Sequence, residues 1–281
     1  MARRPRNLCS GTYVHITQQC ELQDYLLNTP QAREHYLALL KEVIEKYAFI
    51  VLAYCIMENH IHLLTKVGED ISRVSRAMQS LAGRMAQDYN RITGRKGHFW
   101  RDRFASTLIG TARHFKNVIS YIDANPLNHK NGCDPIRWQY CSYHELQSGQ
   151  SEVSIVNRAE LVHALRMQNI QEFIAWQKSL MERQMGSTTS VSTQTAATYT
   201  GHLALGTYTE MRLLQRRLRK RGVFTYCSYL GNDFEGDPLW ALDSCTIKYA
   251  TQWERRHFVG PEPQFTSVDA ICASQSFRQT M

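Results

Sequence analysis

The chain has 281 residues, 43% of them hydrophobic, and carries 33 Lys and Arg against 25 Asp and Glu, for a formal net charge of +8 at pH 7. That length exceeds a single domain of roughly 100 to 150 residues, so one well-buried core plus a further module is expected, and the surplus of base points to a polyanionic partner, most commonly nucleic acid. The longest apolar run, "FIVLAYCIM", is far short of a membrane helix of roughly 20 residues, no apolar stretch follows the basic start as in a secretory signal, and eight cysteines without a Cys-x-x-Cys pair argue for reduced, buried thiols rather than a disulfide framework or zinc ribbon.

In chain order, "GTYVHITQQ" alternates Tyr13, His15 and Thr17 with Val14 and Ile16, the pattern of a strand. Thr29 as a cap and Pro30 at the first position open a helix whose Leu37, Leu40, Val43, Ile44 and Tyr47 form one apolar stripe. "FIVLAYCIM" and "HIHLLTKV" follow as two strands joined by Glu58 and Asn59, short enough for a tight hairpin. A helix from about Ile71 to Asn90 turns Val74, Met78, Leu81 and Met85 inward. "TGRKGHFWRDRFASTLIG" reads as a turn leading into a strand, and "ARHFKNVISYIDANP" as a third helix that ends at Pro126. This order predicts an α+β domain over 1–150, an antiparallel sheet with helices packed on it. Beyond it come a mainly helical extension over 151–185, a Ser/Thr-rich linker over 186–203, a small basic module of unknown function over 204–260 and a loose tail over 261–281.

Two short stretches carry candidate chemistry. In "MENHIHLL", residues two apart on a strand share a face, so His60 and His62 leave the backbone in the same direction, and two converging neutral imidazoles can hold a metal ion. The plain alternative is two histidines on the solvated side of a half-buried strand. On the third helix, taken at 100° per residue, Phe115, Ile119 and Ile122 mark the buried face, whereas His114, Asn117, Tyr121 and Asn125 cluster within roughly 80° of one another. That stripe is either a solvated face that includes a tyrosine or a phenol nucleophile flanked by two amides.

A His-hydrophobic-His strand pair, a downstream helix with Tyr-Ile-x-x-Asn-Pro, and "GHFWRDRF" between them resemble the single-tyrosine HUH nucleases, in particular the REP-associated tyrosine transposases. These are related to the transposases of small insertion sequences that move as single-stranded DNA. The resemblance spans roughly Gly11 to Tyr143. It implies an HUH core of ferredoxin-like or RRM-like arrangement, a divalent Mg²⁺ or Mn²⁺ ion on His60, His62 and Asn125, and Tyr121 as the nucleophile. The implied activity is cleavage and rejoining of single-stranded, hairpin or palindromic DNA through a covalent 5′-phosphotyrosine. One departure is visible: family members often carry an arginine around the position of Gln19, so a DNA contact is altered there.

Around that core, His114 and Asn117 are candidates to favour the phenolate and to hydrogen-bond a phosphate, or are simply solvated. Arg95, Lys96, Arg101 and Arg103 surround Trp100, placing phosphate-binding charge beside a ring that either stacks on an unpaired base or belongs to the core. Arg216 and Arg217, in "RRLRKR", either add nonspecific DNA affinity or form a solvated helix face. Two other functions stay open: a replication initiator or relaxase with the same core, and a DNA-binding protein that keeps the fold without cleaving. Relaxases commonly add a third histidine and a tyrosine near the amino terminus, neither of which is evident, and pure binding needs none of His60, His62, Tyr121 and Asn125. The chain is expected to be cytoplasmic, on the nucleoid when bound to DNA, with no membrane partner; whether it is a monomer or a homodimer is left open.

Overall fold

The alternation around His15 does produce a strand. In the computed structural model, which describes residues 8, 10–110, 112–128, 132–149, 154–186, 204–219, 225–232 and 238–244, β1 (Tyr13–Gln19) lies between β3 (His60–Lys66) and β4 (Ala105–Ile109). Both ladders are antiparallel, and β2 (Ile50–Ile56) closes the other edge of β3, also antiparallel. With α1 (Pro30–Tyr47) between β1 and β2 and α2 (Ser72–Thr93) between β3 and β4, the order β2-β3-β1-β4 is a split βαβ arrangement, the ferredoxin-like core expected. One strand departs from the antiparallel pattern: β5 (Ala204–Gly206) adds to β4 in parallel, which sequence alternation over three residues could not have revealed.

Local signals set the helix ends. Thr29 Oγ1 accepts from the Ala32 amide at 3.2 Å, with Pro30 at the first turn, and Ala48 ends α1 in the left-handed region at φ 48°. Gly94, at φ 68°, ends α2, a conformation glycine adopts without the Cβ penalty. Both faces of the sheet are covered. Val14, Ile16, Ile61 and Leu63 are buried on one, where right-handed crossovers would put α1 and α2 together, and those helices do pack on each other. The opposite face carries Tyr13, His15, Thr17, His60, His62 and Leu64 and receives α3 (Ala112–Asp123), with the Tyr13 and Phe115 rings edge to face at 4.8 Å.

The segment after 150 is built into this unit. The chain divides into Met1–Gly206 and Thr207–Met281, so the boundary expected at 150 falls inside the first unit. α4 (Ser142–Gln147), α5 (Arg158–Leu165) and α6 (Ile170–Gly186) complete it. The buried Glu145 carboxylate accepts from the Ile155 and Val156 amides, and Glu160 of α5 accepts from the Tyr13 hydroxyl at 2.9 Å and pairs with Lys66 at 2.8 Å. Behind α3, Asp123 accepts from Ser142 Oγ at 3.0 Å and from Gln177 Nε2 of α6 at 2.7 Å, and Gln147 donates to the Gln177 side-chain oxygen. Helix α3 is therefore clamped between the sheet and α6. The expected linker, apart from Gly186, and the tail over 261–281 lie outside the described residues.

Burial raises the Asp123 carboxyl to about 7 against the hydrogen bonds from Gln177 and Ser142. An aspartate in the unfolded chain titrates near ~3.9, so the folded state binds the proton more tightly. The stability this contributes is fully present below ~4 and is lost as pH rises through the folded value. The unfolding free energy of the wild type minus that of Asp123→Asn should fall by roughly 3 kcal/mol between about pH 5 and pH 8, measured by urea denaturation. Taking the difference cancels the buried imidazoles, whose lowered proton affinities act with the opposite sign. A pH-independent difference would mean that Asp123 stays ionised throughout.

In the second unit, α7 (Tyr208–Arg219) precedes a hairpin of β6 (Thr225–Asn232) and β7 (Pro238–Ser244). Trp240 holds it together, with the Tyr208 ring at 4.9 Å and the Tyr229 ring at 5.4 Å. Among the described residues no helix is long and apolar enough to cross a membrane.

Candidate active site

His60 and His62 open β3 on the face that α3 covers, as the strand period required. The two rings lie edge to face with centroids 4.9 Å apart, and the Tyr121 ring of α3 stands 5.3 Å from His62. Residues far apart in sequence thus meet at one point. The stripe His114, Asn117, Tyr121 and Asn125 is buried throughout, which removes the solvated-face reading of that helix; α3 is buried on nearly every side because α6 backs it.

Proline at 126 ends α3 at Asp123, and Asn125 starts a short 3-10 turn, Asn125–Asn128. Its Nδ2 donates to the Tyr121 carbonyl at 2.8 Å, capping the helix and directing the amide oxygen away from that carbonyl. The same amide contacts both histidines and the phenol. Burial pushes the Tyr121 hydroxyl above the ordinary phenol range, helped by nearby Cys55 and opposed by Asn125. Burial also lowers His60, and lowers His62 further with help from its two histidine neighbours, so both imidazoles are neutral at physiological pH.

Neutral imidazoles are what a metal ion requires. His60 Nδ1 lies 2.6 Å from Asn59 Oδ1, an acceptor, so Nδ1 carries the proton and the Nε2 lone pair is left available. His62 Nε2 is buried beside the Asn125 amide without a well-formed hydrogen bond, an arrangement that coordination of both groups would complete. Two imidazole nitrogens and one amide oxygen make a mixed donor set suited to a divalent cation that also takes phosphate and water. Among the described residues no group of three or more His, Cys, Asp or Glu is arranged to hold a metal, so the third donor would be the Asn125 amide.

Sequence reasoning missed His15 and Asn59. His15 is buried, its Nε2 is 3.0 Å from His62 Nδ1, and its ring stands 5.9 Å from Tyr121. A third histidine therefore does stand beside the pair, although bonded to an imidazole. Its only sequence signal was a polar residue between the apolar Val14 and Ile16. Asn59 makes the hydrogen bond that orients His60.

The basic segment comes to the same end of the sheet. Cys20 bridges Trp100, and the Arg101 amide donates to the Gln19 carbonyl, while Gln19 is paired on its other side with His60. Arg101 is then two strand spacings from His60, roughly 10 Å. Lys96, Arg101 and Arg103 are exposed there, and Arg95 is half-buried, donating to the His98 carbonyl and facing Asp24 at 3.7 Å. Trp100 is half-buried: its indole nitrogen donates to the Ala82 carbonyl at 3.0 Å, and its ring stands edge to face with Phe99 and Tyr36. Arg216 is exposed on α7 of the second unit, and the Arg217 side chain lies outside what is described.

Comparison with known proteins finds similarities over the residues that build this site. Residues 9–125 match the family described as "Transposase IS200 like". A putative REP-associated tyrosine transposase of Haemophilus influenzae is 28% identical over 113 residues, 37% of this chain and 64% of that relative, so the chain spans less than two thirds of the relative's length. Among solved structures, a REP-associated tyrosine transposase bound to a REP hairpin is similar with a TM-score of 0.43 and 19% identity, over 55% of this chain and 90% of that one. A putative transposase from Deinococcus radiodurans R1 is similar with a TM-score of 0.32 and 12% identity, over 43% and 96%.

Proposed function

We propose that this chain, whose residues 9–125 carry an IS200-like transposase domain, cleaves and rejoins single-stranded DNA folded as a hairpin, with Tyr121 as nucleophile. The observation that carries the reading is the approach of the Tyr121 ring to His62, 5.3 Å between centroids, with the Asn125 amide touching both histidines and the phenol. A fold kept only for binding has no use for a buried phenol beside two neutral imidazoles. The hairpin form of the substrate rests on the motif resemblance to REP-associated transposases.

The chemistry is a transesterification. Tyr121 Oη forms a bond to phosphorus as the bond to the 3′ oxygen breaks; the phenol loses its proton and the departing oxygen gains one. The products are a 5′-phosphotyrosine and a free 3′-hydroxyl, and attack by a second 3′-hydroxyl runs the step backwards, rejoining DNA without a nucleotide cofactor. A Mg²⁺ or Mn²⁺ ion held by His60, His62 and Asn125 would supply positive charge at a nonbridging phosphate oxygen. The hydrogen bonds at Asp123 hold the helix that carries Tyr121 against the sheet. Arg101 and Arg103, exposed at this end of the sheet, suit the phosphates of the incoming strand.

The test is capture of the intermediate. Incubated with Mn²⁺ and single-stranded hairpins taken from palindromic repeats beside its own coding sequence, the protein should yield a DNA adduct that survives denaturation, absent on the blunt duplex of the same sequence. No adduct on any such hairpin would defeat the proposal. A chain ending at Gly206, the end of the first unit, should still cut; lacking the cluster Arg216–Arg221, it should bind hairpin DNA more weakly and with a flatter dependence of log K on log salt. An unchanged slope would make that cluster a solvated face.

A further inference from the structure

We infer that His15 is a positioning residue, which holds His62 in the tautomer and ring orientation that present Nε2 to the cation. This rests on the reading of His60, His62 and Asn125 as the metal set, and it goes beyond that reading by giving the buried imidazole of β1 a task.

The argument begins with register. His62 is paired with Thr17 across the β1–β3 ladder, and His15 is paired with Leu64 on one side and Thr107 on the other. His15 and Thr17 share a face, so His15 is the diagonal neighbour of His62 on the surface that α3 covers. The two rings are nearly parallel, 25° between planes with centroids 5.1 Å apart, and His15 Nε2 meets His62 Nδ1 at 3.0 Å. Both side chains are almost wholly buried, so no water competes for that contact.

A neutral imidazole has one N–H and one lone pair. Only one proton can lie between the two nitrogens. If His62 Nδ1 donates it to His15, the lone pair of His62 is on Nε2, the nitrogen beside the Asn125 amide without a well-formed hydrogen bond. If His15 Nε2 donates instead, His62 must carry its proton on Nε2 and cannot bind a cation there. The identity of the donor therefore decides whether His62 is a ligand. His60 is set the same way from outside the sheet, its Nδ1 committed to Asn59 Oδ1 at 2.6 Å. Each histidine of the pair thus has an acceptor behind it, and loss of such a partner commonly costs ten- to a hundredfold in metal affinity.

Two readouts separate this inference from the proposed activity, and neither uses DNA. Long-range ¹H–¹⁵N correlation spectra of the metal-free wild type should show His62 as the Nδ1–H tautomer; an Nε2–H tautomer overturns the inference without any variant. Titration with Mn²⁺ alone should then give His15→Phe, which keeps a ring but removes the acceptor, an affinity about ten- to a hundredfold weaker than wild type. His15→Gln, whose side-chain oxygen can accept from His62, should recover most of it. Wild-type affinity in a folded His15→Phe protein overturns the inference. A wild type that binds no Mn²⁺ defeats the metal reading instead, leaving the tautomer spectrum to decide the part played by His15.

Discussion

Tyr121→Phe should abolish the covalent DNA adduct, a loss of at least ~10³-fold, while hairpin DNA is still bound within about threefold of wild type. The substitution removes one oxygen. The ring that packs against His62 and His15 is kept, so the site should hold its shape. Losing a hydroxyl whose burial is already unfavourable to its ionised form should change folding stability by no more than ~1 kcal/mol. A denaturing gel reads the adduct and a mobility-shift titration reads binding. An adduct of normal yield would transfer the nucleophile to another tyrosine and leave Tyr121 as a packing residue.

His62→Ala and His60→Ala should each lose cleavage by at least ~10²-fold, and the wild type should lose it in EDTA. The reason is charge. A phenolate approaching a phosphodiester is one anion attacking another, and the three residues that would hold the ion bring no charge of their own: His60 and His62 are neutral and Asn125 is an amide. Mn²⁺ should also raise the Tm of the wild type and fail to raise that of the His62 variant, which tests the ligand set without substrate. His62 is buried, so unfolding of the metal-free variant must be compared to show that the fold survives. Asn125→Ala should be milder in metal binding, since two nitrogens remain, but it also removes the cap on α3. Full-rate cleavage in chelator would refute the metal-assisted mechanism.

Much of this site was legible in the chain because its parts are periodic. The spacing of His60 and His62 is the strand period, and Tyr121 and Asn125 are one helical turn apart, so each pair could be put on a common face before any fold was known. Trp100 was not decidable that way. An aromatic amid arginines suits a base-stacking ring as well as an anchor, and only the fold shows the indole nitrogen tied to the Ala82 carbonyl with the ring half-buried. The burial of His114 and Asn117 was equally out of reach, because a polar stripe is solvated unless another element covers it. Here Tyr121 of that stripe meets the histidine face of the sheet, while α6 backs the helix from the Asp123 side, more than fifty residues further along the chain.

The sequence by itself determined the order of elements, the α+β class, the face shared by the two histidines and the helix that carries the phenol, since each depends on contacts between near neighbours in the chain. Tertiary structure alone decided that strand and helix meet, through the register Thr17 to His62 and the packing of α3 on that face. It alone put His15 behind His62, Asp123 between Ser142 and Gln177, and the residues after 150 within the first unit. Register, burial and long-range hydrogen bonding join residues whose separation leaves no periodic trace, so the partners that orient a functional group stay hidden where the group itself does not.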